Sequence, residues 1–351
     1  MTRDPQLSPR STDSIASVGE RLSSLIVSFA FRAAGIPTQQ VDSRRVITTD
    51  DRFTQAQPVF GETYARLAER VAPLTESAVV VMGGFIGSTA DGRTTTLGRG
   101  GSDYSASIVG AGVDAEEIQI WTDVDGMLTT DPRIVPDARR VKHLTFAEAA
   151  ELAYFGAKVL HPATVTPAVE KNIPVLILNS RNPETEGTRI TSTAAPCKNA
   201  VKSISCKRSI TLVNVRSTRM LLAHGFLRRI FEVFDRFGTS VDMISTSEVS
   251  VSLTVDKTAH LGDISAELCH FAEVQAESGQ AIVCLVGENI RHTPGIAGRV
   301  FQVLGDTNIR MISQGASLLN LGFVIAEQDL VPAVSALHRE FFSELDPDVF
   351  D

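Results

Sequence analysis

Cysteine is scarce in these 351 residues. There are four (Cys197, Cys206, Cys269 and Cys284), with no CxxC spacing. That argues against a disulfide framework or a zinc site and fits thiols kept reduced in the cytoplasm. Basic residues are not in excess: 33 Lys and Arg against 41 Asp and Glu give a net charge of −8. Non-specific binding to a nucleic-acid backbone is therefore disfavoured. No run approaches the roughly 18 unbroken apolar residues of a membrane helix. The best stretch, Leu22–Ile36, is broken by Ser23, Ser24, Ser28 and Arg32. Met1–Ser14 is polar and proline-dotted, without the apolar centre of a signal peptide. Neither GxxxxGK followed by Ser or Thr, nor GxGxxG, occurs, so the two commonest nucleotide-binding loops have no support.

What is present is an ordinary globular composition, 43% apolar and 21% charged, enough for two or three domains. Over about the first 190 residues helical and strand patterns alternate. Helices are expected over Ser17–Ala34 (ended by Gly35-Ile-Pro37), Val59–Leu74, Ser102–Ala111, Thr145–Phe155 and Pro162–Lys171. Short apolar strands are expected at Ala78–Met82, Glu117–Trp121 and Pro174–Leu178. This order implies an α/β fold, a mostly parallel sheet with helices on both faces. Pro183–Lys202 is polar and irregular and reads as the linker. We therefore expect a first domain over 1–190, a linker over 191–202 and a second part over 203–351.

That second part repeats itself. Leu227-Arg-Arg-Ile-Phe231-Glu-Val233 aligns with Ala297-Gly-Arg-Val-Phe301-Gln-Val303, an offset of 301 − 231 = 70. Val241-Asp-Met-Ile-Ser245 aligns with Ile309-Arg-Met-Ile-Ser313, an offset of 309 − 241 = 68. Each copy, about 217–280 and 281–351, reads as a small α+β unit, too few for a solenoid and suited to a paired module.

The densest chemical signal is Gly92-Arg-Thr-Thr-Thr-Leu-Gly98-Arg99-Gly100-Gly101-Ser102-Asp103, after the Val79–Met82 strand with its Gly83-Gly84-Phe85 turn and just before a helix. Glycines allow close backbone approach, a helix N-terminus offers free amides to an anion, and Arg99 adds a fork for a carboxylate or phosphate. The blander reading is a loop whose Ser102 caps the helix. Trp121-Thr122-Asp123-Val124-Asp125-Gly126 closes a strand, where open α/β sheets place ligands, although Asp125-Gly126 equally suits a plain turn. Arg133 and Lys158 add cations, and two cations with two acids after strands point to a nucleotide. His161 before Pro162 reads as a packed or capping histidine, His143 and His260 form no ligand cluster, and Glu20 suits the acidic first turn of a helix.

Taken in order, Thr94-Thr-Thr-Leu-Gly-Arg-Gly-Gly-Ser-Asp103, Trp121-Thr-Asp-Val124, Thr130-Asp-Pro-Arg133 and Phe155-Gly-Ala-Lys-Val-Leu-His-Pro162 strongly resemble the aspartokinases, from about Ser11 to the C-terminus. The repeated half resembles their tandem ACT regulatory domains. Phe226-Leu227 and Ser240-Val-Asp-Met-Ile-Ser-Thr-Ser-Glu248 look most like the lysine-inhibited type. The resemblance implies ATP- and Mg²⁺-dependent phosphorylation of the β-carboxylate of L-aspartate, the first step towards lysine, threonine and methionine. By the same resemblance Glu20, Arg99, Ser102 and Asp103 would hold aspartate, while Thr122, Asp123, Arg133 and Lys158 would hold ATP. Lysine would meet Met220, Phe226, Leu227, Ser240, Val241, Asp242, Ser247 and Glu248. No resident metal ligand is implied, and a homodimer or dimer of dimers is.

Two departures from the family pattern stand out. Its opening Lys-Phe-Gly-Gly-Thr-Ser segment, which contacts the transferred phosphates, has no counterpart in this sequence, so the catalytic domain is expected to be incomplete at its start. Leu128 stands where an aromatic residue often lies near adenine. An alternative reading is thus a catalytically inactive kinase that serves as an amino-acid-sensing regulatory subunit. In the second repeat Arg310 replaces Asp242 and Gly315 replaces Ser247, so only the first copy looks equipped for a cationic amine.

Overall fold

Ser8 accepts the Ser11 amide and Pro9 occupies the first helical position, so the opening helix α1 (Pro9–Ala33) starts eight residues before the apolar rhythm indicates. In the computed structural model, residues 7–156, 165–194, 196–217 and 224–351 are described. By length and composition α1 is apolar enough to cross a membrane, its qualifying 18-residue window having a mean hydropathy of 1.2, because its serines interrupt without adding charge. Its buried stripe is polar nonetheless: Asp13, Ser17, Ser24 and Ser28. The Ser17, Ser24 and Ser28 hydroxyls donate to carbonyls three or four residues back, which satisfies them locally while their small size permits close packing. Ile15, Leu22, Ile26 and Phe29 face outwards.

The chain divides into two compact units. The first comprises residues 1–126, 143–150 and 158–194, and the second residues 127–142, 151–157 and 195–351. Two short segments of the expected catalytic half are thus counted with the second unit.

In the first unit, β1 (Thr38–Val41) pairs in parallel with β3 (Val79–Met82). β2 (Thr48–Thr49), β4 (Ile86–Thr89) and β5 (Thr94–Thr96) form a three-stranded sheet in that order. The helical stretch after β2 is broken near Val71-Ala-Pro73 into α2 (Phe60–Arg70) and the single turn α3 (Ala72–Thr75). After α4 (Gly101–Gly112), strand β6 (Ile118–Thr122) lies parallel to β8 (Val175–Asn179) in a four-stranded sheet of order β6-β8-β9-β7, completed by β7 (His143–Thr145) and β9 (Thr188–Thr191). Helix α5 (Phe146–Tyr154) follows β7, and α6 (Thr166–Lys171) precedes β8. Strand β9 lies in the segment expected to be irregular. Thr188 and Ile190 point inwards and Arg189 and Thr191 stay partly exposed, so a short alternating run gains a strand by pairing on both sides. Val46, Ile47, Leu67, Val71, Leu97 and Ile108 form a core cluster.

The second unit is built around one antiparallel sheet. Its centre is a pair of 14-residue strands, β10 (Ser203–Arg216) and β13 (Glu273–Val286). Around them the chain adds α7 (Phe226–Arg236), β11 (Ile244–Thr246), β12 (Ser250–Val255) and α8 (Leu261–Leu268), then α9 (Ile296–Leu304), β14 (Ile309–Gln314), β15 (Asn320–Ala326) and α10 (Leu330–Phe341). The sheet order is β11-β12-β10-β13-β15-β14. The repeat is therefore a pseudo-twofold: Ser203 pairs with Val286 and Arg216 with Glu273, and 273 − 203 = 286 − 216 = 70. Even the irregularity at its centre is repeated, with left-handed backbone at Ser209 and, 70 residues on, at Gly279. Each half of a long strand serves a different repeat.

Candidate functional site

The Gly83-Gly84 turn after β3 lies between two helices. A Cβ at Gly83 would stand 3.0 Å from the Glu20 carbonyl oxygen on α1, and one at Gly84 would stand 3.1 Å from Ser102 Cα on α4. Only glycine lets both backbones approach this closely. The turn is fixed from below: the Ser43 hydroxyl donates to the Gly83 carbonyl at 2.5 Å, and the Phe85 amide donates to Ser105 Oγ at 2.8 Å. Glu20 and Ser102 are thereby held on either side of one rigid bend. Among the described residues, the side chains of Glu20, Arg99, Ser102 and Asp103 have no hydrogen-bond or ion-pair partner. Burial pushes the half-buried Asp103 carboxyl above its usual range. Arg99 is exposed in the loop before Gly100, the N-cap of α4. An unpaired guanidinium, two unpaired acids and a helix N-terminus can together receive a zwitterion that carries an additional carboxylate.

Two neighbouring acids that sequence reasoning passed over are engaged. Asp13 accepts the amides of Thr54 and Thr96, and Asp42 pairs with Arg44, whose hydrogen bonds outweigh burial and lower its pKa. These residues build the wall.

At the C-terminal end of β6, Thr122 is held by the residue that follows β8: the Ser180 amide and hydroxyl both donate to the Thr122 carbonyl. The Thr122 hydroxyl approaches Asp123 at 3.4 Å, leaving that exposed carboxylate almost free. Asp125 is different. It accepts the Asn179 amide at 2.7 Å and so ties two strand ends together.

In the second unit the described members of the expected lysine set lie on α7 and on either side of β11. Phe226 and Leu227 open α7, Val241 and Asp242 precede β11, and Ser247 and Glu248 form the β11–β12 turn, where Ser247 bonds Ser250. Phe226 is buried in the core with Val213, Ile230 and Leu253, so its ring is structural whatever else it touches. Asp242 Oδ1 accepts Lys207 Nζ at 2.7 Å, and the same ammonium reaches Asp256 at 3.0 Å. No sequence spacing signalled Lys207 or Asp256. They meet Asp242 only because β10 and β12 are neighbours.

A model of the amino acid kinase family matches residues 1–179, and one of the ACT domain matches residues 283–341. The lysine-sensitive aspartokinase 3 of Escherichia coli K12 is 42% identical over 344 residues, which cover 95% of this chain and 76% of that protein. The chain belongs to the aspartokinase family. The structure of E. coli aspartokinase III in complex with aspartate and ADP (R-state) matches with a TM-score of 0.85 at 40% identity, over 96% of this chain and 77% of that one. Its complex with lysine and aspartate (T-state) matches at 0.83, with the same identity and coverage.

Within this aspartokinase, two expectations need correction. Glu20 is no first-turn acid, because α1 begins at Pro9 and places it mid-helix. Ser102 caps nothing: Gly100 is the N-cap and no side chain bonds the helix end. Arg133, 84% exposed, is held by Asp131, and that hydrogen bond raises its pKa. Lys158, His161 and Met220 lie outside the described residues.

Proposed function

We propose that this chain is an aspartate kinase that transfers the terminal phosphoryl group of ATP to the β-carboxylate of L-aspartate, is feedback-inhibited by lysine and works in the cytoplasm. The observation that carries the site assignment is the Gly83-Gly84 bend, which holds Glu20 and Ser102 on its two sides with unpaired side chains. Glu20 receives the substrate ammonium, Arg99 clamps a carboxylate, and Ser102 and Asp103 orient the remainder at the helix N-terminus. A β-carboxylate oxygen attacks the terminal phosphorus as ADP leaves, so catalysis rests on positioning and on stabilising the transferred charge. Thr122, Asp123, Arg133 and Lys158 are assigned to ATP by resemblance, and the position of Thr122 and Asp123 at a strand's C-terminal end supports their part. Mg²⁺ belongs to this proposal as an ion arriving on the nucleotide phosphates, whose oxygens suit it. The ion would neutralise phosphate charge there. A homodimer or dimer of dimers belongs to the same proposal.

The test is aspartate-dependent ADP formation with Mg-ATP, with and without lysine. Arg99→Ala is expected to lower kcat/KM for aspartate by about 10²–10³-fold with little change in melting temperature. A variant with the wild-type aspartate dependence would refute the clamp. A folded wild-type chain that binds lysine yet turns nothing over would instead favour a sensing subunit.

A further inference from the structure

The Asp242 carboxylate is already occupied by a cation of its own chain. Its side chain is 5% exposed. Oδ1 takes Lys207, while Oδ2 is buried without any hydrogen-bond partner. Lys207, 21% exposed, is shared with Asp256, and the Tyr154 ring lies 5.9 Å from its nitrogen. Two carboxylates and one ammonium leave a net charge of −1 and one unsatisfied oxygen, the complement of a single additional ammonium group. Burial raises the Asp242 carboxyl above its usual range despite Lys207, so one shared ammonium under-compensates it.

The second repeat supplies the contrast. The counterpart of Lys207 is Glu277, 70 residues on, and that of Asp242 is Arg310; these two face each other at 4.0 Å with the charges exchanged. The counterpart of Asp256 is Ala326. An internal ion pair thus stands at the same place in both repeats. In the second it is one-to-one and neutral, and only in the first does an extra acid leave charge uncompensated.

We propose that Lys207 is a tethered competitor for the ammonium group of the effector, and that its contest with Asp256 over Asp242 sets the affinity for lysine. This inference rests on the reading of Asp242 as a lysine ligand. Removing the tethered ammonium leaves both carboxylates to the incoming amine. Removing Asp256 instead gives Lys207 wholly to Asp242 and closes the site.

The experiment is calorimetric titration of L-lysine into the full chain at pH 7.5. Lys207→Met is expected to bind lysine about tenfold more tightly, and Asp256→Asn about tenfold more weakly, each the equivalent of one modest charge interaction. Equal or weaker binding by the Lys207 variant overturns the proposal. So does equal or tighter binding by Asp256→Asn, which alters a side chain 35% exposed and keeps the test open if the first variant does not fold. Asp242→Asn separates the two claims. If it binds lysine normally, the site reading itself fails, whereas lost binding beside an unchanged Lys207 variant fails only the competition.

Discussion

Asp13 grips Thr96 twice: Oδ1 accepts the threonine hydroxyl at 2.8 Å and Oδ2 accepts its amide at 3.0 Å. With the Thr54 amide also bound, a carboxylate only 1% exposed ties α1 to the strand that leads into the Arg99 loop. Asp13→Ala strands these donors, and the chain is expected to lose about 3 kcal/mol of unfolding free energy. Asp13→Asn, which keeps an acceptor of the same shape, should lose less. Urea unfolding at neutral pH measures both. Equal stability of wild type and Asp13→Ala would mean that the carboxylate is a passenger.

Gly84→Ala tests whether the bend positions the substrate site. The new Cβ would meet Ser102 Cα at 3.1 Å, so the α4 N-terminus must shift by a few tenths of an ångström. We expect KM for aspartate to rise about tenfold while KM for ATP changes little, because misplaced clamps cost binding and orientation. Gly61→Ala is the control. It lies in α2 with nothing within 4 Å and should be neutral or slightly stabilising. Aspartate kinetics that do not distinguish the two variants would detach Gly84 from the site.

What was legible in the sequence was what is contiguous or periodic. The Gly92–Asp103 loop carries its own signal, since its glycines, Arg99 and the following helix are consecutive. The 70-residue offset located α7 and α9, and it also relates β10 to β13, whose pseudo-twofold pairing no motif announced. What was illegible depended on packing between distant segments. Asp13 lies in a polar, proline-dotted stretch and becomes a structural anchor only when Thr96 reaches it, 83 residues away. Lys207 and Asp242 are 35 residues apart and become neighbours through strand order alone. Glu20 was misplaced because the apolar rhythm of α1 starts late, although Ser8-Pro9 already marked the helix start.

His338 gives the second unit a definite pH dependence. It lies on α10, 8% exposed, with its ring 4.7 Å from that of Phe342 and Nε2 2.9 Å from the Thr129 hydroxyl. That hydroxyl oxygen also accepts the Arg139 amide, which leaves its proton free to point at a neutral imidazole. Burial lowers the His338 pKa below its ordinary value of 6.5; the Asp137 carboxylate opposes this and the Arg139 cation adds to it. The unfolded chain therefore binds this proton more readily than the folded one. The stabilising contribution is complete above about pH 6.5 and is lost as the pH falls from there towards the lowered folded value. Urea midpoints measured from pH 8 to pH 5 should decline for wild type, and decline less for His338→Gln, which cannot gain the proton. Parallel curves would show that other groups carry the acid sensitivity and that the imidazole is indifferent to its burial.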